Sequence, residues 1–124
     1  MQTREITRCD SPAFFNGFSR QHEGWLINLE IFGPEIGDQF EEREIALEGI
    51  TAELGECQSD RIEIMMGAKP DDHITHTIAK PIQVSLEQSD DGADRVLAIK
   101  DLDANTTLLS FRAPVRSDMV DNLL

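Results

Sequence analysis

A chain of 124 residues can bury one ordinary hydrophobic core without disulfides or a structural metal, so residues 1–124 are expected to form a single domain. Its 24 acidic residues against 11 basic ones leave a formal charge of −13, which opposes the counterion release that drives binding to nucleic-acid phosphates and argues against anionic membrane surfaces. No stretch approaches the ~20 apolar residues of a membrane span, and the opening MQTREITRCD holds no apolar run of signal-peptide length.

A cytoplasmic protein is therefore expected. Cys9 and Cys57 are the only cysteines; they lack CxxC spacing or a second pair for zinc, and read as two reduced thiols. The charge is uneven. Glu35 to Glu63 contains ten acids and two arginines, whereas the first 22 residues hold Arg4, Arg8 and Arg20 against Glu5 and Asp10. A basic partner surface would meet the middle of the chain, although such charge also serves solubility alone.

In chain order, DSPAFFNGFSRQ carries a helix start: Asp10 or Ser11 as cap and Pro12 in the first turn, where a missing N–H costs nothing. Phe14 and Phe18 then fall one turn apart with Phe15 beside them. Gly17 weakens this short amphipathic helix, which needs a surface to pack on. GWLINLEIFGP reads as a strand with Trp25, Ile27, Leu29 and Ile31 on one face, closed by Gly33-Pro34. Four of the seven aromatic residues lie in this opening stretch, which predicts that the helix plugs the sheet there.

Farther on, Ile45 and Leu47 set one alternation and Ile50, Ala52 and Leu54 the opposite one, so a β-bulge is expected at Glu48-Gly49. DRIEIMM, HITHTIA and IQVSLEQ follow as strands, with Ile62, Ile64 and Met66, then Ile74, His76 and Ile78, then Ile82, Val84 and Leu86 on single faces. Ser89-Asp-Asp-Gly-Ala93 is a hairpin turn, followed by RVLAIKD, the DLDANT connection and TLLSFRA. SDMVDNLL fits a last helical turn capped by Ser117. The sum is mainly β: a short N-terminal helix packed on an antiparallel sheet of six or seven strands, arranged as a half-open barrel or a sandwich.

Asp101, Asp103 and Asn105 stand in the D-x-D-x-N order of a calcium loop. A working loop of that type needs glycine at its sixth position and glutamate at its twelfth, where this chain has Thr106 and Arg112. An ordinary β-connection built on Asp and Asn side chains is the expected reading. In PDDHITH, Asp71, Asp72, His73 and His76 are acceptable metal-ligand types. Positions three apart on a strand point to opposite faces, so His73 and His76 share an ion only if the strand is distorted. His22 beside Glu23, at the mouth of the aromatic group, is the remaining acid–base candidate. No nucleophile elbow or phosphate-cradling glycine loop is present, and no cofactor is implied.

The order PAFFNGFSRQHEGW, LEGITAEL, KPDDHITHTI and TTLLSFR resembles a family of small bacterial proteins known only as a domain of unknown function, over nearly the whole chain. The resemblance implies a bacterial, single-domain protein and supplies no activity; Cys9-Asp-Ser11 and Cys57 depart from its pattern. The leading expectation is a non-catalytic binding module acting through a protein partner or as a homo-oligomer, with Phe14, Phe15, Phe18, His22 and Trp25 as candidate contact residues. The alternatives are a metal-dependent or small-molecule enzyme using Asp72, His73 and His76, and an acidic inhibitor that imitates nucleic acid.

Overall fold

The computed structural model describes residues 2–34, 37–55, 60–67, 73–90 and 92–111, and only the backbone over 38–43. Among these residues eight strands and one α-helix follow in the order β1 (Gln2–Ile6), a 3-10 turn (Arg8–Asp10), α1 (Ser11–His22), β2 (Leu26–Gly33), β3 (Gly37–Glu53), β4 (Arg61–Met66), β5 (Ile74–Ala79), β6 (Pro81–Gln88), β7 (Asp94–Asp101) and β8 (Thr106–Phe111). All pair antiparallel, in the spatial order β1-β6-β7-β8-β2-β3-β4-β5. The expected class holds, with one strand more than the six or seven read from periodicity. The addition is β1, whose QTREI is exposed at four of five positions and so carries no alternation to read.

Two corners bend this sheet into an open curl. The first lies within β3, a strand of 17 residues. Its first part, Gly37 to Ala46, pairs with β2, and its second, Leu47 to Glu53, pairs with β4. The changeover carries a register shift between Leu47 and Gly49, at the glycine where the alternation changes phase. A bulge there adds twist and turns the strand from one sheet section into the next. A second irregularity precedes it at Glu44, whose φ is 52° and whose amide donates to Asn28 Oδ1 at 2.8 Å. That side chain satisfies a donor the bulge would otherwise leave unpaired.

The other corner is Lys80, the single residue between β5 at one end of the sheet order and β6 next to the opposite end. Such a short link forces the two ends to approach. Lys80 has a φ of 55°, its amide donates to Asp60 O and its carbonyl accepts from Leu102 N, each at 3.0 Å, so both neighbouring loops hold the bend. The curl does not close: β1 and β5 each pair on one side only among the described residues.

Helix α1 fills the inside of the curl. Its buried residues Ser11, Phe15, Phe18 and His22 follow helical spacing along one stripe. Phe15 and Phe18 join Ile6, Ile27, Leu29, Leu47, Ile50, Ile62, Ile64, Met66 and the inward residues of β5 to β8 in one core. The helix is locked to β3 by Ser19, whose Oγ accepts from Ile50 N at 2.8 Å and donates to Ile50 O at 3.0 Å.

The helix start differs from expectation. Winding begins in the preceding 3-10 turn, so Asp10 already has helical dihedrals and makes no side-chain cap. Asp10 Oδ2 instead accepts from Thr7 Oγ1 at 2.8 Å, and Ser11 Oγ donates to Thr7 O at 3.0 Å. At the other end Gly24 (φ 86°) takes the left-handed position beyond the helix, and Trp25 N donates back to His22 O at 3.0 Å. Among the described residues no helix is long and apolar enough to cross a membrane. The SDMVDNLL turn and Cys57 lie outside the described residues.

Candidate functional site

Among the described residues, chemistry-bearing side chains gather chiefly at the plugged end around His22 and at the open seam beside β1. At the plugged end, the stripe that buries Phe15 and Phe18 carries His22 one turn beyond Phe18, where it is 3% exposed. The imidazole packs against both the Phe18 and Phe111 rings, at centroid distances of 4.2 and 4.7 Å, while those two rings contact each other at 5.9 Å, and it meets Trp25 edge-on at 4.7 Å. Phe111, at the end of β8, also contacts Trp25 at 5.3 Å. Phe14 packs on Phe15 and Phe18, and the Arg4 guanidinium sits 5.7 Å from its centroid.

Both ring nitrogens are engaged. Nδ1 lies 2.8 Å from Phe18 O, a carbonyl that can only accept, so Nδ1 carries a proton. Nε2 lies 3.0 Å from Asp94 Oδ2, and Asp94 Oδ1 accepts from Gln88 Nε2 at 2.7 Å. Burial alone would raise the Asp94 carboxyl. The hydrogen bonds from His22 and Gln88, with the charges of His22 and Arg4, outweigh it and hold the group below the ordinary aspartate value.

A general base needs a lone pair aimed at a substrate proton; here each nitrogen is aimed at a protein acceptor. His22 thus acts as a two-pronged tie between the end of α1 and the start of β7. Of the five residues singled out at this end, Phe15, Phe18 and His22 are buried, and Phe14 and Trp25 are half-buried against the core. Periodicity alone missed Asp94, Gln88 and Phe111. The spacing of His22 from Phe15 and Phe18 was the available sign that it faces inward.

The open seam is built differently. β1 ends at Ile6 opposite Val84, and the chain then turns into Thr7–Asp10, so the first residues of β6 continue without β1 beside them. Ala52, Leu54, Arg61 and Ile62 of the β3–β4 hairpin complete an open cleft of about 90 Å³. In β6 the register with β7 slips between Pro81 and Gln83, leaving Ile82 as the extra residue of a bulge. The bulge explains why Ile82, expected on the same face as Val84 and Leu86, is 58% exposed while those two are buried. Leu54, also in the cleft, is 41% exposed.

Arg8 fixes one wall. Its Nε and Nη2 reach Asp60 Oδ2 and Oδ1 at 2.6 and 2.8 Å, and Nη2 also donates to Gly55 O at 2.8 Å. Gly55 N donates to Asp60 Oδ1 at 2.9 Å. The Arg8 hydrogen bond first, and then that of Gly55, hold the Asp60 carboxyl below its ordinary value, while Asp60 raises the Arg8 guanidinium. Arg61 bridges Glu53 at 2.6 Å and Glu63 at 3.4 Å on the rim.

His73 and His76 belong to a third region. His73 precedes β5 and is exposed, its Nε2 2.8 Å from Glu48 Oε2. His76 is half-buried on β5, opposite Ile64 of β4. Asp71 and Asp72 lie outside the described residues. His22 is enclosed by α1, Trp25 just before β2, β7 and β8, so the fold does not gather the three histidines around one cavity. Among the described residues no group of three or more His, Cys, Asp or Glu is placed to hold a metal ion.

In DLDANT, Asp101 Oδ1 accepts from the amides of Asp103 and Asn105 at 2.9 and 3.0 Å, and Ala104 has a φ of 67°. Its carboxylate organises a β-turn, as the connection reading anticipates.

Neither the curated proteins nor the solved structures hold a match to this chain. The model of a family described as "Family of unknown function (DUF5335)" matches residues 2–120, and the chain belongs to that family.

Proposed function

We propose that the protein is a non-catalytic interaction module that docks a basic, extended peptide segment of a partner protein through one apolar side chain seated on Ile82 and Leu54. The observation that carries this reading is the β6 bulge, which turns the most exposed large apolar residue of the described chain into an open cleft. A volume near 90 Å³ is well below the ~300–1,000 Å³ of small-molecule sites, and suits one anchoring side chain better than a substrate. The formal charge of −13 favours lysine or arginine on either side of that anchor and speeds encounter with it.

The engagement of both His22 nitrogens supports a structural role for the residue best placed to be an acid or base. The nucleic-acid-mimic alternative calls for acids arrayed unopposed along one surface. In the acid-rich stretch, Glu48, Glu53, Asp60 and Glu63 each face a histidine or arginine, which weighs against it.

The test is selection of peptides from a random displayed library on the full chain, with the Ile82→Asp variant as counter-selection. Enriched peptides are expected to share one large apolar residue flanked by Lys or Arg, and to shift amide resonances around Ile82, Leu54 and Arg61. Peptides that bind wild type and Ile82→Asp equally, or that perturb another surface, overturn the reading.

A further inference from the structure

Among the described residues the sheet ends in β1 on one side and β5 on the other, and these two edges are not alike. β1 carries exposed Arg4 and Glu5, and charges on an edge discourage another strand from pairing with it. β5, at the other end, is Ile74–Ala79, ITHTIA, with no acid, lysine, arginine or proline. Four of its six residues are β-branched, and among the described residues it pairs with β4 alone. Thr75 and Thr77 are exposed on its outer face. On the other face Ile78 is buried, His76 half-buried and Ile74 37% exposed.

Ile74-Thr75-His76-Thr77-Ile78 reads the same in both directions. A strand added antiparallel from a second copy, with His76 opposite His76, therefore sets Thr75 opposite Thr77 and Ile74 opposite Ile78 on both sides of the axis. Matched threonine and β-branched pairs are favourable cross-strand neighbours. A two-fold contact of this kind uses the same patch on both copies and closes on itself. It also covers Ile74 with the partner's Ile78. Two copies carrying −13 each repel at long range, so close approach is least opposed along an uncharged strand.

We propose that β5 is the seam of a homodimer, in which the β5 strands of two copies pair antiparallel about His76 and join their sheets. This surface is separate from the Ile82 cleft, and the proposal goes beyond the docking reading. A contact built mainly on one strand is small, so the dimer is weak, dissociates in the micromolar range and tightens with added salt.

The experiment is sedimentation equilibrium of the full chain across the micromolar range, for wild type and two double variants. Thr75→Lys with Thr77→Lys puts lysine opposite lysine twice, and is expected to raise the dimer Kd about tenfold or more. Thr75→Glu with Thr77→Lys puts glutamate opposite lysine twice, and is expected to restore wild-type dimerisation. Both positions are solvent-exposed, and recovery by the second variant shows that the first acts on pairing rather than folding. Ile82→Asp leaves the dimer unchanged. A monomeric wild type, an unaffected lysine pair, or failure of the glutamate–lysine variant to recover overturns the proposal.

Discussion

Two hydrogen-bonded side-chain pairs tie distant parts of this chain together, one in a dry end and one in a wet seam. At the dry end His22 and Asp94 meet behind Phe18, Trp25 and Phe111, where the His22 side chain is 4% exposed and that of Asp94 15%. At the seam Arg8, with 55% of its side chain exposed, grips Asp60 and the Gly55 carbonyl beside a cleft open to solvent. Low local dielectric makes the first pair costly to disrupt, whereas solvent competes for the second. The chemically richest cluster is therefore where the fold is held, and the docking surface proposed beside Ile82 is the plainer of the two.

The largest effects are expected at the dry end. His22→Ala removes a buried ring and leaves Asp94 without its imidazole partner, and is expected to lower unfolding free energy by roughly 3–5 kcal/mol in urea titration. Phe111→Ala, which removes another ring of the same cluster, is expected to cost about 3–5 kcal/mol by the same measurement. Equal losses from Arg8→Ala would erase the distinction between the two ends.

Acid offers a second way to separate them. Asp94 and Asp60 both have folded-state values below their unfolded ones, so their contributions are complete above the ordinary aspartate value of about 3.9 and are lost as pH falls through the lower folded values. Circular dichroism should show stability constant at higher pH with respect to these two groups and falling below about pH 4. Asp94→Asn should lower the plateau by roughly 1–3 kcal/mol and flatten that fall.

Smaller still, Ser19→Ala removes the hydroxyl that serves both the amide and the carbonyl of Ile50. It is expected to cost about 1–2 kcal/mol, readable as earlier amide exchange where α1 meets β3. Ile82→Asp closes the series, with a stability change within about 0.5 kcal/mol and loss of peptide binding.

The same contrast explains what could be read from sequence. Alternation in RIEIMM, the phase change at Glu48-Gly49, the turn at Ser89–Ala93 and the connection at DLDANT are local patterns, and the structure carries each of them. The His22–Asp94 contact is not local: it depends on where the helix axis meets the β6–β7 hairpin. The Ile82 cleft depends on a bulge within a run whose apolar alternation looks unbroken, and on β1 ending at Ile6. The curl follows from Lys80 having no freedom of length, a constraint visible only once the order of strands is known. Single-residue corners and slipped registers are set by tertiary pairing, which periodicity does not encode.

The most direct measurement compares peptide binding by Ile82→Asp and His22→Phe, each at a temperature where circular dichroism shows it folded. The account predicts that Ile82→Asp loses binding with stability intact, and that His22→Phe loses stability yet binds as wild type. Binding retained by Ile82→Asp and abolished in folded His22→Phe would contradict it, and would place the working surface at the aromatic end.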